Sequence, residues 1–177
     1  TGIDNDKFYL KRLVNFLVKK LFTKKNYIYL ACSHDAAAFC FKEKLQKLKI
    51  INNGIETEKF IFNLNKRKKI RKELNIAEND IVVGHVGRFV LQKNHVFLVD
   101  IFKEFLKMEP NSKLILIGTG ETKDDIMKKL SELKIEKNTI ILENVKNVNE
   151  YLQAFDLFLF PSLYEGLGIV LIEAQAA

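Results

Sequence analysis

From Asp80 to the last residue, short apolar runs alternate with longer segments of helical spacing. Residues 81–86, 113–117, 139–142 and 157–160 read as strands, and 95–107, 123–133, 149–155 and 169–177 as helices. The run 157–160, bounded by Asp156 and Pro161, is too short for a helix and suits a parallel strand buried on both faces. This β-α-β-α-β-α-β order predicts an α/β domain, a Rossmann-like parallel sheet flanked by helices with right-handed crossovers. Ligand sites in such sheets lie at the C-terminal ends of the strands. Gly87 and Arg88, Gly118-Thr119-Gly120, Glu143-Asn144-Val145 and the loop 161–168 all emerge on that edge.

The first third of the chain is patterned differently. Residues 8–22 place Leu10, Leu13, Val14, Leu17 and Leu21 at helical spacing, with Lys11, Arg12, Lys19 and Lys20 opposite or flanking. A membrane-surface helix has this pattern, and so does a helix packed on a sheet with a solvated basic face. The buried strand expected over 27–32 favours the second. A helix over 36–48 follows, with Ser33 or Asp35 as its cap, and a short strand over 49–53. His34 reads as a capping or surface residue. Ser33-His34-Asp35 in immediate succession is no catalytic triad, whose members must converge in space. Residues 66–72 carry six positive charges, but no interleaved aromatic or base-reading motif accompanies them, so the reading is the exposed face of a connecting helix ending near Leu74 and no nucleic-acid partner.

Composition adjusts this picture in three respects. The 177 residues are 47% hydrophobic, enough for a good core. The net charge of +7 is uneven: residues 1–80 carry 18 Lys and Arg against 9 acids, and residues 81–177 carry 11 against 13. The basic part would suit an anionic surface. Cys32 and Cys40 form no C-x-x-C motif and fit a reducing cytosol, as small buried hydrophobes. No run reaches the eighteen or so apolar residues of a membrane span, and no signal peptide is seen.

The chemistry concentrates in the last stretch. Glu165 and Glu173 stand eight residues apart, which on one continuous helix would be roughly 12 Å along the axis. A loop at Glu165-Gly166-Leu167-Gly168 changes that, because Glu165 can fold back over the helix start and share a cleft with Glu173, where carboxylates suit sugar hydroxyls. The helix after this loop offers its N-terminus to an anion. Upstream, Gly87, Arg88 and Lys93 follow a strand, where an Arg and a Lys are commonly surface residues; Arg88 offers a planar guanidinium fork and Lys93 a mobile point charge.

Pro161-Ser162-Leu163-Tyr164-Glu165-Gly166-Leu167-Gly168, followed by Leu171-Ile172-Glu173-Ala174, resembles the E-x7-E signature of the retaining GT-B glycosyltransferases of the family 4 type, which build capsular and exopolysaccharides. Val86-Gly87-Arg88-Phe89-Val90-Leu91-Gln92-Lys93-Asn94-His95 is similar to that family's G-R-x-x-x-x-K diphosphate loop, and Asn52-Asn53-Gly54-Ile55-Glu56 resembles its crossover between domains. The resemblance implies that residues 1–54 end an acceptor-side domain and 55–177 form a truncated nucleotide-sugar donor domain, so that the chain is a fragment.

On this resemblance Arg88 and Lys93 hold the donor diphosphate, Glu165 the donor sugar and Glu173 the ribose. The backbone of Gly166, Leu167 and Gly168 meets phosphate or sugar, Gly118 lies on the donor edge, and Asn144 and Val145 lie near the base, with Asn144 where the family usually has Gly. The implied donor is a UDP or GDP sugar, with no cofactor and no metal in the site. The implied acceptor is a glycan or lipid-linked, in the cytoplasm, with a peripheral contact at the inner face of the membrane left open. A non-catalytic nucleotide-sugar-binding module and a related epimerase are the alternatives. A nicotinamide dehydrogenase is disfavoured because no G-x-G-x-x-G follows Val86 or Ile117.

Overall fold

The computed structural model describes residues 13, 14, 16, 17, 20, 28–41 and 48–177. They belong to two compact units, Thr1–Gly54 and Ile55–Ala177. In the first unit residues 13, 14, 16, 17 and 20 are helical; the rest of the helix expected over 8–22 lies outside the described residues. Strand β1 (Tyr29–Ala31) pairs in parallel with β2 (Leu48–Ile50), and helix α1 (His34–Phe41) lies between them in sequence. Ser33 caps α1, its Oγ accepting from the Ala36 N–H at 3.0 Å, and His34 is exposed. Positions 27 and 42–47 of the expected strand and helix are outside the described residues. Two expectations are corrected. Only Tyr29 of β1 is buried, with Ile28 and Leu30 exposed, because no described element covers that face of the pair. Cys40 is exposed on α1 and Cys32 is half-buried, so neither thiol is a core hydrophobe.

The second unit has the predicted alternation. Helix α2 (Leu64–Glu73) starts at Asn63, whose side chain accepts from the Asn65 and Lys66 N–H groups. Then come β3 (Val82–Val86), α3 (His95–Met108), β4 (Lys113–Ile117), α4 (Lys123–Glu132), β5 (Thr139–Leu142), α5 (Val148–Leu152), β6 (Leu157–Phe158) and α6 (Ile169–Ala176). The sheet order is β5-β4-β3-β6, all parallel. Both faces of β4 are apolar because both are covered. Leu114 and Leu116 join Phe89, Leu98, Phe102, Ile126 and Leu130 on one side, while Ile115 and Ile117 join Ile76, Val82 and Val145 on the other. Strand β6 is shorter than expected and lies at the sheet edge, so Leu157 is exposed and the expectation of burial on both faces fails there. Its pairing runs on to the Leu159 N–H, which donates to the Gly84 carbonyl, before Pro161 ends it.

The basic run 66–72 is only partly a solvated face. Arg67 and Arg71, one helical turn apart, are turned inward onto Asp156, at 2.5 Å each. Arg71 is buried and also donates to the carbonyls of Ala154, Glu78 and Asp80. The Asp156 oxygen that meets Arg71 also accepts from the Val82 N–H at 2.7 Å, which ties the start of β6 to the start of β3. Burial resists ionisation of Asp156, but the Val82 N–H and the two guanidiniums outweigh it and hold its carboxyl below the usual range.

At the other end of β3, His85 is fully buried against His95, the first residue of α3, in an edge-to-face pair 4.7 Å apart. His85 Nδ1 lies 2.7 Å from the Leu159 carbonyl, so that nitrogen carries the proton. His95 also meets the Phe89 ring edge-on, and neither of its nitrogens has a hydrogen-bond partner among the described residues. Burial, aided by Lys93, pushes His85 from 6.5 down to about 4. Burial, with His85 and Lys93 nearby, pushes His95 down to about 3. Both rings are therefore neutral at physiological pH.

These interactions predict two effects on stability. Asp156→Asn leaves the buried Arg71 uncompensated and should lower the urea-unfolding free energy by about 3 kcal/mol; a loss below about 0.5 kcal/mol would mark the pair as an ordinary surface bridge. Because both histidines titrate lower when folded, the unfolded chain takes up their protons first as pH falls. Their contribution is complete above about pH 6.5 and is lost as pH drops toward 4. Between pH 6 and 5 stability should fall by about 2 kcal/mol, and His95→Gln should roughly halve that slope. A flat profile over this range in the unsubstituted protein would contradict the neutral buried pair.

Candidate donor site at the switch point of the sheet

The chain crosses from β3 through α3 to β4 on one side and returns through β6 on the other, so the order reverses at β3. Loops leaving the C-terminal ends of β3 and β6 border the crevice where open α/β sheets bind ligands. The loop after β3 is fixed at its centre by Phe89, which is fully buried. Its N–H donates to the Thr119 carbonyl and its carbonyl accepts from the Thr122 N–H. This anchoring leaves Arg88 beside it exposed, its side chain with no hydrogen bond or ion pair among the described residues. The 3-10 turn Leu91–Lys93 then ends at Asn94, whose left-handed backbone (φ 56°) turns the chain into α3.

Two loops distant in sequence meet at Lys93. Its Nζ lies 2.6 Å from Glu165 Oε1 and 4.8 Å from the centre of the Phe160 ring. The two side chains keep 16% and 22% of their surface exposed although Glu165 as a whole lies on an exposed loop, so the pair is partly shielded from solvent. Neighbouring bonds hold the loops in register: the Leu163 N–H donates to the Gln92 carbonyl at 2.8 Å, Gln92 Nε2 to the Tyr164 carbonyl at 2.8 Å, and Asn94 Nδ2 to the Pro161 carbonyl at 3.3 Å. Burial resists ionisation of Glu165, but hydrogen bonding and the charge of Lys93 outweigh it and keep the carboxyl below its ordinary range. Glu165 is thus an anion at physiological pH.

Below this pair lie rings. Phe160 stacks near Phe158, their centres 6.2 Å apart, and His85 lies 5.9 Å from each. Sequence reasoning missed this floor, although Phe158 and Phe160, two apart in an extended segment, necessarily share a face. It also missed His85, Gln92 and Asn94 as the residues that set the two loops.

The remaining site residues are placed as follows. A Cβ on Gly87 would come within 3.0 Å of His85 Nε2, and one on Gly118 within 2.0 Å of the Gly87 carbonyl oxygen. The glycine requirement at 118 is therefore met by protein backbone, without any ligand. Asn144 has φ 54°, a left-handed conformation that Asn tolerates better than other non-glycine residues, so the departure from Gly keeps the turn. Val145 is half-buried and packs against the core cluster that contains Ile115 and Ile117. A Cβ on Gly166 would meet nothing within 4 Å, whereas one on Gly168 would touch the Phe160 ring at 3.0 Å. Leu167 is exposed between them. Glu173 is half-buried in α6 and its side chain makes no hydrogen bond or ion pair among the described residues. The structure thus brings Glu165 to Lys93, with no bond joining Glu165 to Glu173. Among the described residues no group of three or more His, Cys, Asp or Glu is placed to hold a metal ion, and no helix is long and apolar enough to cross a membrane.

Residues 66–177 match the family described as "Glycosyl transferases group 1". The chain is 39% identical over 134 residues to the capsular polysaccharide biosynthesis glycosyltransferase CapH of Staphylococcus aureus, covering 73% of this chain and 34% of CapH. It is 29% identical over 164 residues to the UDP-Gal:alpha-D-GlcNAc-diphosphoundecaprenol alpha-1,3-galactosyltransferase of Escherichia coli, covering 89% of this chain and 42% of that enzyme. The crystal structure of HepE from Anabaena superposes with a TM-score of 0.78 at 23% identity, covering 92% of this chain and 45% of HepE. The chain thus spans less than half the length of these relatives. With the family match over most of its length and the parallel sheet just described, the chain belongs to the group 1 glycosyl transferases and has the α/β architecture of the GT-B fold.

Proposed function

We propose that the whole protein is a retaining glycosyltransferase of the family 4 type. It would move a sugar from a nucleoside-diphosphate sugar to a glycan or lipid-linked acceptor in cell-surface polysaccharide synthesis. Residues 55–177 would be its donor-binding part. The observation that carries this reading is the meeting of Lys93 and Glu165, from two separate motifs, at the switch point of the sheet. The HepE structure is described as a complex with UDP and glucose, and the name of the Escherichia coli relative gives a UDP-sugar donor and a lipid-linked acceptor. Both descriptions support the same donor class here. A lipid-linked acceptor would bring the protein to the inner face of the membrane from the cytoplasm.

In this reading the donor diphosphate lies between Arg88 and Lys93. As the bond from the anomeric carbon to the diphosphate oxygen breaks, negative charge grows on the leaving group, and these cations stabilise that charge more than the ground state. Glu165, ionised throughout, accepts hydrogen bonds from sugar hydroxyls, and Glu173 accepts from the ribose. Gly166 leaves open space at its backbone for the donor. Asn144 and Val145 border the base. Glu165 serves here as a hydrogen-bond acceptor for the donor.

Calorimetric titration of the full-length protein with UDP, GDP and ADP tests the assignment. One of the three should bind saturably. Arg88→Ala and Glu173→Ala, with thermal unfolding unchanged, should each weaken it about tenfold, the cost of one charge-assisted hydrogen bond. Binding that neither substitution affects would place the nucleotide elsewhere.

A further inference from the structure

Lys93 and Glu165 are bonded to each other at 2.6 Å, yet the donor-site reading, on which this inference rests, asks each of them to bind a different part of the donor. The ammonium has three hydrogens. One is directed to Glu165, and Phe160 lies on another side at 4.8 Å. A diphosphate approaching Lys93 brings negative charge next to a carboxylate that is already ionised and only 22% exposed. Arg88, by contrast, has no anionic partner among the described residues and is open to the same diphosphate at no such cost.

We propose that the Lys93–Glu165 pair makes the site discriminate between the intact nucleotide sugar and its nucleoside diphosphate. A nucleoside diphosphate engages Arg88 and draws Lys93 away from Glu165, leaving that carboxylate with its desolvation uncompensated and a like charge beside it. An intact donor draws Lys93 in the same way, but its sugar hydroxyls donate to Glu165 and replace the lost ammonium. Glu165 therefore opposes the product of transfer and favours the substrate. The pair acts as an exchange element: the ammonium passes from carboxylate to diphosphate at a cost that is offset only when hydroxyls take its place. After transfer the sugar leaves with the acceptor, Glu165 loses its donors and recaptures Lys93, and the nucleoside diphosphate is released more readily. The aromatic floor suits such an exchange, because a ring face holds the ammonium without fixing its hydrogens.

The experiment titrates the full-length protein and its Glu165→Gln and Lys93→Met variants with three probe pairs, UDP with UDP-glucose, GDP with GDP-mannose and ADP with ADP-glucose. Glutamine keeps the shape and loses the charge, and thermal unfolding checks that each variant is folded. For whichever pair binds, Glu165→Gln should bind the nucleoside diphosphate about fivefold more tightly and the nucleotide sugar about tenfold more weakly, reversing the preference. Lys93→Met should weaken both. Equal weakening of both ligands by Glu165→Gln, or no change in either, would overturn the exchange while leaving the donor-site reading in place. Binding of none of the three pairs by the unsubstituted protein would overturn the donor-site reading and the exchange with it.

Discussion

Asp156 is the constraint on which the site depends. It is the residue before β6, and one of its oxygens accepts both from Arg71 and from the backbone N–H of Val82 at the start of β3. The two strands therefore begin level and run parallel, and their exits arrive together at the far edge. A buried guanidinium is costly to desolvate unless its donors are satisfied, and Arg71 reaches backbone carbonyls on both sides of that junction as well as the carboxylate. Charge, hydrogen bonds and strand register are fixed by the same few atoms. A slip of β6 by one residue would turn its side chains to the opposite face and move Phe160 out from under Lys93.

The far edge is built on the opposite principle. Near Asp156 the charges are paired and largely enclosed, whereas at the C-terminal ends a neutral, aromatic floor supports charges that remain partly in solvent. His85 and His95 stay uncharged because they are buried, so they add no positive field of their own beneath the two cations proposed to hold the donor. His85 still acts on the site, since its Nδ1–H fixes the carbonyl of Leu159 just before the chain turns into the Glu165 loop. Phe89 does the corresponding work on the other loop, pinning the backbone between Arg88 and Lys93 from within the core. Positions of the polar groups are thereby set by buried apolar and backbone contacts that no ligand has to supply.

Much of this was legible in the sequence because it depended on local pattern. The strands 113–117 and 139–142 fall where their apolar runs predicted, and α3 and α4 agree within a residue at each end. What could not be read were properties that arise only between distant segments. Nothing local says that Arg67 and Arg71, in a run of six cations, face inward, since their partner Asp156 lies more than eighty residues away. The edge position of β6 depends on the order of strands, which exposes Leu157 although its own run is apolar. The spacing lets Glu165 fold back over the helix start toward Glu173, but it cannot show that Glu165 is bonded to Lys93, a residue from the other motif. Gly118 looked like a ligand-binding glycine, and the structure already needs it for the passage of the Gly87 backbone.

The donor diphosphate is proposed to lie between the loop after β3 and the loop after β6. A crystal structure of the full-length protein with its bound nucleoside diphosphate tests this most directly. Diphosphate oxygens are expected about 3 Å from both the Arg88 guanidinium and Lys93 Nζ, with the base toward Asn144 and Val145. A diphosphate bound at any other edge of the sheet, or one in this crevice touching neither cation, would contradict it.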